Sequence, residues 1–126
     1  MAIDAKFKQG DWKVYVNGGR KSTNLLVSKW AQNAEKLGAG EILLTSMNND
    51  GVKNGFSIEL LKDVSKNVGI PVIASGGAGS KADFLKAFKS TSVTGALAAS
   101  VFHFGEIRIP ELKMYLSKEK IPVRWT

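Results

Sequence analysis

The sequence predicts an α/β fold made of four successive β/α units, the equivalent of half a (β/α)8 barrel. Three observations carry that expectation. Strand and helix patterns alternate four times along 126 residues, about half of the ~250 a whole barrel needs. The run Pro71-Val72-Ile73-Ala74-Ser75-Gly76-Gly77-Ala78-Gly79 passes from a loop proline through a buried-strand pattern into a glycine turn, and a helical pattern starts at Ser80. Gly95-Ala96-Leu97-Ala98-Ala99-Ser100 repeats the theme, with Phe102–Glu106 reading as a short helix after it.

Taken in order, Ala2-Ile3-Asp4 reads as the end of a first strand. Trp12–Val16 alternates polar and apolar residues between turns at Gln9-Gly10 and Asn17-Gly18-Gly19, so an extra hairpin is expected after the first strand. Ser22 or Thr23 is placed to cap a helix running to about Leu37, with Leu25, Leu26, Val27, Trp30, Ala34 and Leu37 on its buried side. Gly38 and Gly40 end it. Glu41–Thr45 is the second strand, and Ser46–Gly55 a long polar loop. Ser57 caps a helix whose apolar face is Ile58, Leu60, Leu61, Val64 and Val68. The third strand begins after Pro71, and the helix after it buries Ala82, Phe84, Leu85, Ala87 and Phe88. The fourth strand starts near Gly95. A last helix spans about Pro110–Leu116, with Pro well placed in its first turn, and Ile121–Trp125 is an extended tail.

Hydrophobic residues make up 44% of the chain, so a packed core is expected, in one domain over residues 1–126. Parallel strands joined by helices have both faces covered, but in a barrel one face is the interior. A four-stranded half therefore exposes Ile3, Leu43, Ile73, Leu97 or their neighbours, a patch that soluble monomers do not normally carry. Completion by a homodimer or a higher even-numbered oligomer is the expectation, through an isologous pairing.

Composition narrows the functional classes. There is no cysteine and a single histidine, which excludes a disulfide framework, a thiolate metal site and a multi-histidine metal cluster within one chain, so neither metal nor cofactor is expected. No apolar run approaches a membrane span, and Met1 leads into Ala-Ile-Asp-Ala-Lys without a signal pattern, so a cytoplasmic protein is expected. The net charge of +7 comes from lysines spaced singly at helical intervals rather than from a basic block interleaved with aromatics. That argues for a solvated basic surface or attraction of a phosphorylated metabolite, and against nucleic acid.

The chemistry-bearing residues fall at the carboxyl ends of the strands. Small residues at Gly76, Gly77, Ala99 and Ser100 let backbone N–H groups close on an anion, and Ser100 adds a hydroxyl; tight packing is the alternative reading of each turn alone. Asp4 ends the first strand at the same rim, or caps a turn. Lys6 lies two residues on, on the same face, or is a surface lysine. Thr45 and Ser46 end the second strand with hydroxyls. Asn48, Asn49 and Asp50 precede Gly51 as an ordinary Asx-rich turn, though Asp50 is also a candidate second carboxylate for acid–base work. His103 reads as a packed or phosphate-adjacent histidine.

Together, Ala2-Ile-Asp-Ala-Lys6, Gly38-Ala-Gly-Glu-Ile-Leu-Leu-Thr-Ser46, Asn49-Asp-Gly-Val-Lys-Asn-Gly55, Ile73-Ala-Ser-Gly-Gly-Ala-Gly79 and Ala96-Leu-Ala-Ala-Ser-Val-Phe-His103 closely resemble the cyclase subunit of imidazole glycerol phosphate synthase, in histidine biosynthesis. The resemblance covers essentially the whole chain and only the carboxyl-terminal half of that subunit, strands five to eight of its barrel. It implies ammonia-dependent cleavage and cyclisation of a phosphorylated ribonucleotide, with the ammonia delivered by a glutaminase subunit. It implies that Asp4 is one of two acid–base aspartates, one per half-barrel, and that Asp50 is a ligand-contacting aspartate. It places Gly76, Gly77, Ala99 and Ser100 around one substrate phosphate, makes Thr45 and Gly51 further substrate contacts, and puts Glu41 at the opposite end of the barrel. The amino-terminal half, with the other aspartate and a second phosphate site, has no counterpart here, and Gly18 stands where the family loop can carry a serine. The expectation is a half-barrel that is catalytic only when assembled, with itself or with an amino-terminal half. The alternative is a non-catalytic half-barrel that binds phosphate.

Overall fold

A computed structural model describes residues 1–125; of the expected 1–126 domain, Thr126 lies outside the described residues. The chain runs β1 (Ala2–Lys8), β2 (Asp11–Val16), β3 (Lys21–Leu26), α1 (Val27–Lys36), β4 (Ile42–Ser46), α2 (Ile58–Asn67), β5 (Val72–Ser75), α3 (Lys81–Ser90), β6 (Gly95–Leu97), α4 (Ser100–His103) and α5 (Ile109–Lys118). One six-stranded sheet has the order β3-β2-β1-β4-β5-β6. The strands β1, β4, β5 and β6 are parallel neighbours, as a half-barrel requires, while β2 and β3 add on antiparallel beyond β1.

The sheet's two faces separate by the period of two along each strand. Ile3, Ala5, Val14, Ile42, Leu44, Val72 and Ala74 lie 0–4% exposed and face the helices. There α1 packs on α2, α2 on α3 and α3 on α5, a single helical layer. Phe84 anchors the layer, with ring centroids 5.4 Å from Phe56 and 5.7 Å from Phe102. Burying such side chains is worth about 1.5–3 kcal/mol each. On the other face stand Asp4, Leu43, Thr45, Ile73 and Leu97, of which Leu97 is exposed and the others half-buried. Ile3 was expected on that open face and is instead in the core, because it is out of phase with Asp4 by one residue.

The largest departure from expectation is at the first helix. It begins at Val27, and Lys21–Leu26 is strand β3, paired with β2 through a register shift between Lys13 and Tyr15. Thr23 does not cap a helix. Its hydroxyl donates to the Val14 carbonyl at 2.7 Å and accepts from the Leu25 amide at 3.2 Å, filling the irregular pairing. Leu25 and Leu37, expected on the buried side, are exposed at 44% and 77%. The first strand also runs on past Asp4 to Lys8, drawn out by its pairing with β2. The outer edge of β1 is therefore occupied from Asp4 to Lys8.

The remaining elements fall close to their expected places. Ser57 and Ser80 stand at the N-cap positions of α2 and α3. Pro110 sits in the first turn of α5. The expected short helix over Phe102–Glu106 starts earlier, at Ser100. No helix of the described residues is long and apolar enough to cross a membrane.

Candidate functional site

The carboxyl ends of β4, β5 and β6 enclose a cavity of about 200 Å³. Its lining includes Asp50, Gly51, Lys53, Gly76, Gly77, Ala99 and Ser100, joined by Ser75, Ala78, Leu97 and Ala98. Six of the eight residues to which the resemblance gives an acid–base or substrate-contacting role are thus gathered in one place. The other two, Asp4 and Thr45, do not line the cavity but lead to it. The parallel register sets Asp4 beside Thr45, Thr45 beside Ser75 and Ser75 beside Leu97. Neighbouring strands are ~4.8 Å apart, so Asp4 stands on the open face about 10 Å from Ser75. Tyr15 continues the row on the far side of Asp4, and Lys6 lies 5.8 Å over the Tyr15 ring.

Two separate demands keep the cradle free of side chains. Gly76 and Gly77 have φ of +88° and +113°, a region L-residues avoid. A Cβ at Gly77 would also lie 2.2 Å from the Gly55 carbonyl oxygen, and one at Gly76 would lie 2.6 Å from that of Ser46. The turn is therefore pressed against the loop after β4. The packing reading of these glycines holds, and the close approach leaves the turn without side chains over its amides. The amides of Gly76, Gly77, Ala78, Ala99 and Ser100 donate to no protein acceptor among the described residues.

The start of α3 contributes less than expected. The Asp83 carboxylate accepts from the amides of Gly79 and Ser80 at 3.0 and 2.8 Å. The helix supplies its own anion there, so the donors left for a ligand are those before Gly79.

Asn49, read from the sequence as an ordinary turn residue, holds the loop against the cradle. Its Oδ1 accepts from the Ser46 hydroxyl at 2.7 Å, and its Nδ2 donates to the Gly55 carbonyl at 3.0 Å. The Gly55 amide in turn donates to the Gly77 carbonyl at 2.8 Å. The available signal was chemical: an amide side chain carries a donor and an acceptor on separate atoms and can join two backbone segments of such a loop. Lys53 was also missed. It lines the cavity and pairs with Glu106 from the segment after α4. His103 is exposed, stacks edge-on with Phe104 at 5.0 Å, and does not line the cavity.

The cavity thus lies at the carboxyl ends of parallel strands, beside a row of Asp4, Thr45 and Ser75. The family model described as "Histidine biosynthesis protein" matches residues 1–108. The chain belongs to the histidine biosynthesis protein family. Curated relatives carry the name "Imidazole glycerol phosphate synthase subunit HisF". The one from Hydrogenobaculum sp. is 57% identical over 125 residues, covering 98% of this chain and 50% of the relative. Those from Geobacillus kaustophilus and Pyrococcus furiosus are 54% and 56% identical over 126 and 124 residues, each covering 98% of this chain and 50% and 49% of the relative. The chain spans about half the length of the curated relatives it matches. The mostly parallel sheet with its helical layer is consistent with that half being half of a (β/α)8 barrel.

Proposed function

We propose that this chain is the phosphate-binding, aspartate-bearing half of an imidazole glycerol phosphate synthase cyclase. The observation that supports it best is the continuity of the rim. A row of Asp4, Thr45 and Ser75 runs across three parallel strands into the cavity that holds the free amides. In this reading the cavity takes one phosphate of a phosphorylated ribonucleotide on the amides of Gly76, Gly77, Ala99 and Ser100. Gly51 and Thr45 contact the rest of the substrate. Asp4 acts as an acid or base in the ammonia-dependent cyclisation, and Asp50 assists from the loop after β4. Acid–base work needs two carboxylates in different environments, and the second comes from another half.

That other half covers the open face of Leu43, Ile73 and Leu97. It is a second copy of this chain in a homodimer or higher even-numbered oligomer, or a separate amino-terminal half-barrel. A glutaminase subunit would deliver ammonia from the Glu41 end. The setting this implies is cytoplasmic.

The test is ammonia-dependent loss of the formimino ribonucleotide, measured with the chain alone and with an added amino-terminal half. Asp4→Asn should lower the rate by about 10²–10⁴-fold, the usual loss for a general acid or base. An unchanged rate in that variant removes Asp4 from the mechanism. Phosphate binding without turnover in either assembly leaves the non-catalytic half-barrel as the correct reading.

A further inference from the structure

We propose that Lys53 is a phosphate-binding side chain of the cavity and that Glu106 competes with the phosphate for it. The inference rests on the phosphate reading of the cavity and adds to it a charged ligand and its control.

The charges of the cavity pose a problem that backbone amides alone do not solve. Among the described residues, the lining holds one carboxylate, Asp50, and one basic side chain, Lys53. Lys53 Nζ is 2.5 Å from Glu106 Oε1. While that pair is closed, an arriving phosphate meets the Asp50 carboxylate and a lysine whose charge is already answered. The amides supply partial charges only, and the lining they share also holds the full negative charge of Asp50. Release of Lys53 from Glu106 reverses the balance, because a freed ammonium then stands on the lining of the cavity where the anion binds.

The geometry suits a side chain that changes partners on a fixed base. Lys53 has φ +60°, a conformation that a non-glycine residue holds only when its surroundings impose it. The surroundings do so: its carbonyl presses on the glycine cradle, where a Cβ on Gly79 would lie 2.1 Å from the Lys53 oxygen. The backbone of Lys53 is therefore locked into the wall of the cavity. Its side chain is 38% exposed and that of Glu106 41%, so the pair is solvated and cheap to open. Glu106 comes from the segment after α4, which follows β6, whereas Lys53 is on the loop after β4. The pair thus joins segments that follow the two strands flanking β5, whose turn forms part of the cavity.

The experiment is calorimetric titration of the 126-residue chain with inorganic phosphate at low ionic strength and about pH 8, where a phosphate is mostly dianionic. The parent, Lys53→Met, Glu106→Gln and the double variant are compared. Glu106→Gln should bind phosphate about two- to fivefold tighter, the scale of an exposed ion pair released. Lys53→Met should bind about tenfold weaker, the scale of a lost charge-assisted hydrogen bond. The double variant should match Lys53→Met, because Glu106 has nothing to withhold once Lys53 is gone. If the parent binds phosphate and Glu106→Gln binds it no more tightly, the competition is refuted while the phosphate cavity stands. Parental affinity in a folded Lys53→Met also refutes it. Should Lys53→Met fail to fold, the Glu106→Gln arm decides alone. If neither the parent nor Glu106→Gln binds phosphate, the cavity is not an anion site and both readings fall.

Discussion

Replacing Gly77 by alanine tests whether the cradle is built by close approach or only by turn geometry. Gly38 provides the internal control. Both glycines have left-handed backbones, with φ of +113° at Gly77 and +95° at Gly38. A methyl group at Gly38 meets nothing within 4 Å, so Gly38→Ala should cost only the conformational term, about 1 kcal/mol. At Gly77 the added Cβ would sit 2.2 Å from the Gly55 carbonyl oxygen and 2.8 Å from the Asn49 Cβ. The carbonyl must retreat by about 1.2 Å to reach ordinary contact at 3.4 Å. That retreat stretches both the Gly55 amide bond to Gly77 and the Asn49 bond to Gly55. Overpacking of this kind costs about 1–3 kcal/mol, and each hydrogen bond lost adds about 1 kcal/mol. With the same conformational term of about 1 kcal/mol, Gly77→Ala should therefore cost about 4–6 kcal/mol, a large share of the 5–15 kcal/mol that domains possess. Urea unfolding of the two variants and the parent, followed by circular dichroism, gives the comparison directly. Equal losses at Gly38 and Gly77 would refute the close-approach account. The same reasoning makes Gly77→Asp a poor probe of anion binding, since it would break the cradle before its charge could act.

Two further outcomes are expected. Asn49→Ala should destabilise the chain by about 2 kcal/mol in the same urea assay, because it removes both side-chain hydrogen bonds and leaves the buried Ser46 hydroxyl without its acceptor; a loss of a few tenths would mean the loop is held by its backbone alone. Leu97→Glu places a charge on the open face beside Ser75 and should shift any oligomer towards monomer in sedimentation velocity, with the helical-layer core and hence the melting temperature little changed; an unaltered sedimentation profile of an oligomeric parent would move the contact elsewhere.

The parts of the fold legible in the sequence were those fixed by short-range pattern. Val72–Ser75, Ile42–Ser46 and the amphipathic stretches of α2 and α3 announce themselves by period and by punctuation at Gly69, Pro71 and Ser80. The start of α1 was misread because Ser and Thr serve as helix caps and as partners for irregular strand pairing alike. Thr23 took the second role, and only the position of Val14 on another strand decides it. The candidate site divides the same way. The glycines and Ser100 follow from residue type and strand end, whereas Asp4, read as the end of its strand, lies within β1 near the end of its parallel pairing with β4. The supports divide. Asp83 claims the amides of Gly79 and Ser80 in a capping box that Ser80-Lys81-Ala82-Asp83 carries locally. Asn49 reaches Gly55 within its own loop. Lys53 reaches Glu106 and the Gly55 amide reaches Gly77 only through the way the loop after β4 packs, which no local pattern records.

The antiparallel pair β2–β3 has a consequence for how copies of this sheet can associate. A bare parallel half would offer a strand edge at each end, the arrangement that allows one molecule to recruit the next without limit. Here β2 takes up β1 from Asp4 to Lys8, and the new outer strand β3 carries Lys21 and an irregular register with β2. Charge and irregularity are both poor templates for another strand. At the other end β6 offers only three residues. Lateral growth is blunted at both margins, whereas one partner laid on the face of Leu43, Ile73 and Leu97 would saturate it. A sheet with such margins is biased towards closed assemblies and away from fibres.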